Sequence, residues 1–154
     1  MKAKSSYDVL SFVEATGHRG IRFFEPALNR RPLSSLLSQP GLTGTFGWQD
    51  AKIEKSFAFQ LLRREPSKLP SGRVPLTLCG ECADLGCGCV AVLVSELEEC
   101  VVWSAFAFDD PHPRRDPPGE LVSSFPDVRD YYFLRSDYED ALSRFSSGHR
   151  MRPR

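Results

Sequence analysis

The sequence predicts an α+β fold: an antiparallel β-sheet, with a meander around residues 74–108, a C-terminal helix and one short helix. Three observations carry this prediction. Residues 74–78, 90–96 and 100–108 are successive apolar, β-branched runs of strand length. Ser136, with Glu139 three residues on, reads as a capping box, and Tyr138, Ala141, Leu142 and Phe145 give the helix behind it an apolar stripe. The 154 residues, 41% hydrophobic and 26% charged, suit one domain with a buried core.

Residues 7–26 read as a hairpin turned at Thr16-Gly17-His18-Arg19-Gly20, with a helix over 9–15 closed by Gly17 as the alternative. Pro32 suits the first position of a short helix that carries Leu33, Leu36 and Leu37 on one side and ends at Pro40-Gly41. Residues 41–47 have a glycine at every third position but lack the Gly-Lys-Ser/Thr ending of a phosphate loop, so they read as loop. Residues 57–62 read as a strand, and 63–73, with Pro66, Pro70 and Gly72, as a connection. Leu97 and Glu98 are the expected turn inside the meander. Residues 109–119 hold four prolines and read as a surface loop, with 131–134 as a last strand. Gly148 should end the C-terminal helix. Residues 1–148 then form a single domain, and 149–154 a basic flexible tail. The expected core includes Phe57, Phe59, Leu76, Val92, Val94, Trp103, Phe133, Leu142 and Phe145.

Formal net charge is zero, which argues against nucleic acid or a membrane surface as partner. No apolar run has the length of a membrane span or a signal peptide, so a cytoplasmic location is expected. The charge is unevenly placed. Residues 76–110 contain no lysine or arginine and carry a balance of −7, against +5 over residues 1–64. The meander therefore presents acid at its ends, with Glu96, Glu98 and Glu99 at one turn and Asp109 and Asp110 at the other end. A solvated rim is one reading; a docking surface for a basic protein partner is the other.

Cysteine is the second signal. In a reducing compartment, five cysteines are thiols or metal ligands before they are disulfides. Cys79-Gly80-Glu81-Cys82 and Cys87-Gly88-Cys89 place four sulfurs within eleven residues, spaced by glycines, and could converge on one zinc. Strand alternation would point Cys87 and Cys89 to the same face. Against zinc, only one two-cysteine knuckle is present, and small semi-buried thiols also serve as packing. A redox role for Cys79 and Cys82 finds less support, since Glu81 and Asp84 would raise rather than lower their pKa. Cys100 falls at the far end of the hairpin, about 20 Å from Cys89 at roughly 3.3 Å per residue, outside any cluster.

The run Val74-Pro75-Leu76-Thr77-Leu78-Cys79-Gly80-Glu81-Cys82-Ala83-Asp84-Leu85-Gly86-Cys87-Gly88, followed by Val101-Val102-Trp103-Ser104-Ala105-Phe106, resembles a group of small, mostly uncharacterised bacterial proteins, many of them actinobacterial. Their pattern is close to C-P-x-C-G-D-L-G-C-G, a hairpin, and V-V-W-x-D-F. This chain departs from it with Gly80 for proline, Ala83 for glycine and Ala105 for aspartate, and has Cys89 where alanine is usual. The resemblance covers residues 74–108 and implies a bacterial origin and a shared fold, without an activity. It also implies that a fourth cysteine is dispensable.

No hydrolase elbow, metalloprotease helix or kinase set occurs, and His18, His112 and His149 fall in turn, loop and tail. The expectation is a non-enzymatic protein, a monomer or weak homodimer. It would bind a basic partner through the acidic hairpin, as an immunity protein neutralises a toxin. The alternative is a zinc-binding or thiol-redox protein built on the cysteine cluster.

Overall fold

The computed structural model describes residues 6–37, 42–111, 121–147 and 152–153. It is the expected mixed architecture, antiparallel sheets with short helices and a C-terminal helix. The expected tail lies mostly outside the described residues, but Arg152 donates to the Gly47 carbonyl at 2.8 Å.

The N-terminal segment is the hairpin and not the helix: β1 (Leu10–Thr16) pairs with β2 (Arg22–Leu28) from Leu10↔Leu28 to Thr16↔Arg22. Arg19 and Gly20 make the reversal with positive φ. The short β3 (Arg31–Pro32) leads into α1 (Leu33–Leu36), so Pro32 precedes the helix by one position. The helix stops at Leu36, with Leu37 already extended, a correction to the expected end at Pro40-Gly41. Within the glycine-spaced stretch, β4 (Leu42–Gly44) is a strand, a correction to the loop reading. Beyond it the Gly47, Trp48 and Gln49 N–H groups converge on Glu54 Oε2 at 2.9, 3.1 and 2.8 Å. A run of main-chain donors that resembles an anion cradle is here filled by the protein's own buried carboxylate.

The largest correction is α2 (Ala51–Leu61), a helix where residues 57–62 read as a strand. A short apolar run has no periodicity of its own. The decision comes from upstream: Asp50 caps the helix by accepting from Lys52 N at 2.8 Å, and Phe57, Ala58 and Leu61 share the buried face with Glu54. Phe59 faces outward, half-buried beneath Lys55 and Arg64.

The expected strand at 74–78 is divided. β5 (Val74–Pro75) pairs with β7 (Cys89–Glu96), while β6 (Thr77–Cys79) pairs with β4 in another sheet. Thr77 Oγ1 accepts from Val90 N at 2.9 Å, standing in for the ladder that the split interrupts. β7 and β8 (Cys100–Asp110) form the central hairpin, closed at Glu98-Glu99, one residue later than expected, with Leu97 N donating to the Cys100 carbonyl at 2.8 Å. A bulge puts an extra residue in β8, where Ala105 has φ +52. β9 (Leu121–Ser124) and β10 (Tyr131–Leu134) flank β8.

α3 (Arg135–Ser146) follows β10 without a break, and no capping box forms: Leu134 occupies the cap and Ser136 lies inside the first turn. Tertiary groups take over, as Arg135 N donates to the Glu99 carbonyl at 3.0 Å and its guanidinium meets Glu96 at 3.0 Å. The apolar stripe is as expected, burying Tyr138, Leu142 and Phe145. The expected end at Gly148 lies outside the described residues. Trp103, wholly buried, donates from Nε1 to Tyr138 Oη at 3.0 Å, which donates on to the Leu61 carbonyl at 2.5 Å. Of the nine expected core residues all but Phe59 are buried. Among the described residues, no helix is long and apolar enough to cross a membrane.

Candidate metal centre

The cysteine loop starts where β6 ends. Cys79 is its last residue, paired with Leu42 of β4, and is half-buried. The chain then turns back sharply, with Ala83 N donating to the Cys79 carbonyl at 2.9 Å and Ala83 itself at φ +57. That left-handed geometry favours glycine. Ala83 and Ala105 both adopt it without being glycine. Asp84 then shapes a turn of 3-10 helix at Leu85–Cys87, accepting from Gly86 N at 2.9 Å through its side chain.

This path gathers three sulfurs. The Sγ atoms of Cys79, Cys82 and Cys87 all lie within 4.8 Å of one another, and those of Cys82 and Cys87 are 3.1 Å apart. Around a zinc with Zn–S of about 2.3 Å, tetrahedral sulfurs stand about 3.8 Å apart, so the set is of coordinating dimensions. Cys82 and Cys87 are exposed, leaving one side of the set open to solvent.

Cys89 does not belong to the set, a correction to the four-sulfur reading. The reason is Gly88. At φ +88 it turns the chain from the 3-10 turn into β7, and a Cβ there would come within 2.4 Å of the Phe108 ring. Cys87 and Cys89 are thus not alternate positions of one strand. Cys89 is buried against Leu69 and Ala91. Cys100 is buried at the far end of the hairpin, as expected.

The thiols are electrically unequal. Main-chain N–H groups of Glu81 and then Cys82, directed at the Cys79 sulfur, hold that thiol below its usual pKa. The Cys87 thiol is pushed up to about 12, chiefly by its hydrogen bond with Cys82 and then by desolvation. Three thiols sharing one space cannot all ionise freely without a cation among them.

A neighbour that the sequence reading left in solvent joins the loop. His18 Nε2 lies 2.9 Å from Glu81 Oε1, and Arg19 is 3.5 Å from the same oxygen, so the β1–β2 turn clamps the cysteine loop. Arg19, remote in sequence, thereby faces part of the acid in residues 76–110.

The expected partner surface is distributed differently. Glu98 and Glu99 are exposed at the hairpin turn, and Glu96 is exposed but paired with Arg135. Asp109 is a correction: it lies in β8 with no accessible surface and accepts from Ser71 Oγ at 2.5 Å. The strand runs on through Asp110, which is half-buried, so the two aspartates do not begin an open loop. Residues 112–120 of that loop lie outside the described residues. No family model, curated protein or solved structure matches the chain.

Proposed function

We propose that the protein binds a soft divalent cation, zinc in the first instance, through the thiolates of Cys79, Cys82 and Cys87. The convergence of three sulfurs within 4.8 Å carries this reading. Thiolate donors favour zinc over magnesium or calcium, which prefer oxygen. Three protein ligands leave a fourth tetrahedral position, and the exposure of Cys82 and Cys87 gives solvent access to it. Main-chain donors to the Cys79 sulfur stabilise a thiolate without adding a cationic side chain that would repel the metal. Docking of a basic protein on the acidic hairpin ranks second. Glu98 and Glu99 support it, while the burial of Asp109 and the pairing of Glu96 remove two of its five carboxylates.

Titration of reduced protein with zinc against a competing chromophoric chelator should give one zinc per chain. Serine at Cys79, Cys82 or Cys87 should weaken binding by at least 100-fold, and serine at Cys100 should leave it unchanged. Because thiols lose protons to become ligands, uptake should release protons and tighten as pH rises. Zinc binding that is absent, or indifferent to all three cysteines, would end the reading.

A further inference from the structure

We propose that Cys82 and Cys87 form a reversible disulfide that dismantles the three-sulfur site, so that a peroxide switches metal retention off. The consequence for the metal rests on the zinc reading; the bond itself does not. Cys82 Sγ and Cys87 Sγ are 3.1 Å apart, closer than the roughly 3.8 Å that neighbouring sulfurs keep around zinc and about 1 Å from bonding distance. Both side chains are exposed, so an oxidant in solution reaches them, whereas Cys79 is half-buried and Cys89 and Cys100 are buried. The segment between the pair is held in a fixed turn by Asp84, which accepts from Gly86 N at 2.9 Å and Cys87 N at 3.2 Å, and by Leu85 packed on the core, so the last ångström is closed by the two exposed side chains themselves.

The chemistry balances with a hydroperoxide as oxidant. One thiolate attacks the O–O bond and becomes a sulfenic acid, and the departing oxygen takes a proton as water or alcohol. The second thiolate attacks the sulfenic sulfur, forming the S–S bond and expelling hydroxide, which is protonated to water. Two electrons pass from the sulfur pair to the peroxide. Starting from zinc-bound thiolates, two protons come from solvent and one zinc ion leaves for each disulfide formed. A dithiol reverses the bond by exchange.

The pair is distinguishable because no lysine or arginine lies in residues 76–110, so trypsin leaves all five cysteines on one peptide, while cleavage at Glu81 and Asp84 separates Cys79, Cys82 and Cys87. Zinc-loaded and zinc-free protein are treated with a small excess of hydrogen peroxide, alkylated and cut at acidic residues for mass spectrometry, with released zinc read by a chromophoric chelator. The expected result is a Cys82–Cys87 linkage in both samples, zinc release equal to the disulfide formed, and restoration of both thiols and zinc by dithiothreitol. C79S should still form the linkage while losing zinc binding. If the linkage forms but no zinc is taken up beforehand, the metal reading fails and the disulfide stands. If zinc binds but peroxide yields a Cys79 linkage, an intermolecular dimer or only sulfinic acid, the disulfide is overturned and the metal reading stands.

Discussion

Replacing Phe145 with alanine should lower folding stability by about 3–5 kcal/mol, the range for removing a large buried aromatic side chain. Phe145 joins the C-terminal end of α3 to the N-terminal hairpin, as Tyr138 joins its first half to Trp103 and α2. The Phe145 ring stacks on Phe46 at 4.2 Å, meets Phe12 edge-on at 4.9 Å and lies 5.7 Å from Phe24, so one side chain closes contacts with β1, β2 and the segment after β4. The Arg144 guanidinium covers the cluster, 4.6 Å from the Phe24 ring and 4.7 Å from Phe145, and would lose part of its platform. Neighbouring side chains belong to separate strands and cannot collapse together into the space, which places the cost toward the upper end. Denaturant unfolding by circular dichroism measures it. A midpoint unchanged from the parent would mean that α3 does not pack on this cluster.

Zinc should raise the apparent stability of the reduced protein, and a strong chelator should remove the gain. At free zinc about 100 times the dissociation constant, linkage supplies about 2.7 kcal/mol, which for a chain of this size is roughly 5–10 °C in melting temperature. The effect is specific: serine at Cys79, Cys82 or Cys87 should abolish the increment, while the melting temperature of the zinc-free variants should stay within a few degrees of the zinc-free parent, because two of the three sulfurs are exposed and carry little packing. Melting curves that ignore both zinc and chelator would mean that the loop contributes no metal-linked stability.

What the sequence allowed depended on whether the deciding forces were local. The central hairpin was legible because alternation along residues 90–96 sets Val90, Val92 and Val94 on the core face, and strands declare themselves by that period, whereas Trp103 and Phe106, three residues apart, both reach that core only through the bulge at Ala105. The stripe on α3 was legible for the same reason at the helical period. α2 was not, because residues 57–62 are apolar at nearly every position and the cap that settles the matter, Asp50, stands seven residues before Phe57. The start of α3 was misplaced because its first main-chain N–H is satisfied across the fold by Glu99, a bond no local pattern encodes.

The candidate site divides along the same line. The spacing of Cys79, Cys82 and Cys87 was visible as a cluster, and the distance of Cys100 followed from strand rise. Cys89 was assigned to it by a strand alternation that Gly88 interrupts. The −7 balance of residues 76–110 suggested an unbalanced surface, yet Glu81 meets His18 and Arg19, and Glu96 meets Arg135, from segments about 40 to 60 residues away. Asp109, two residues before Pro111, suggested a loop; a β8 that continues through it buries the carboxylate against Ser71 instead.

The metal reading turns on what surrounds a bound ion, and X-ray absorption at the zinc edge of reduced, stoichiometrically loaded protein measures that directly. Cys79, Cys82 and Cys87 predict a first shell of three sulfurs at about 2.3 Å with one lighter donor, falling to two sulfurs when any one of them is serine. A shell made only of oxygen and nitrogen at about 2.0–2.2 Å, unchanged by those substitutions, would contradict it.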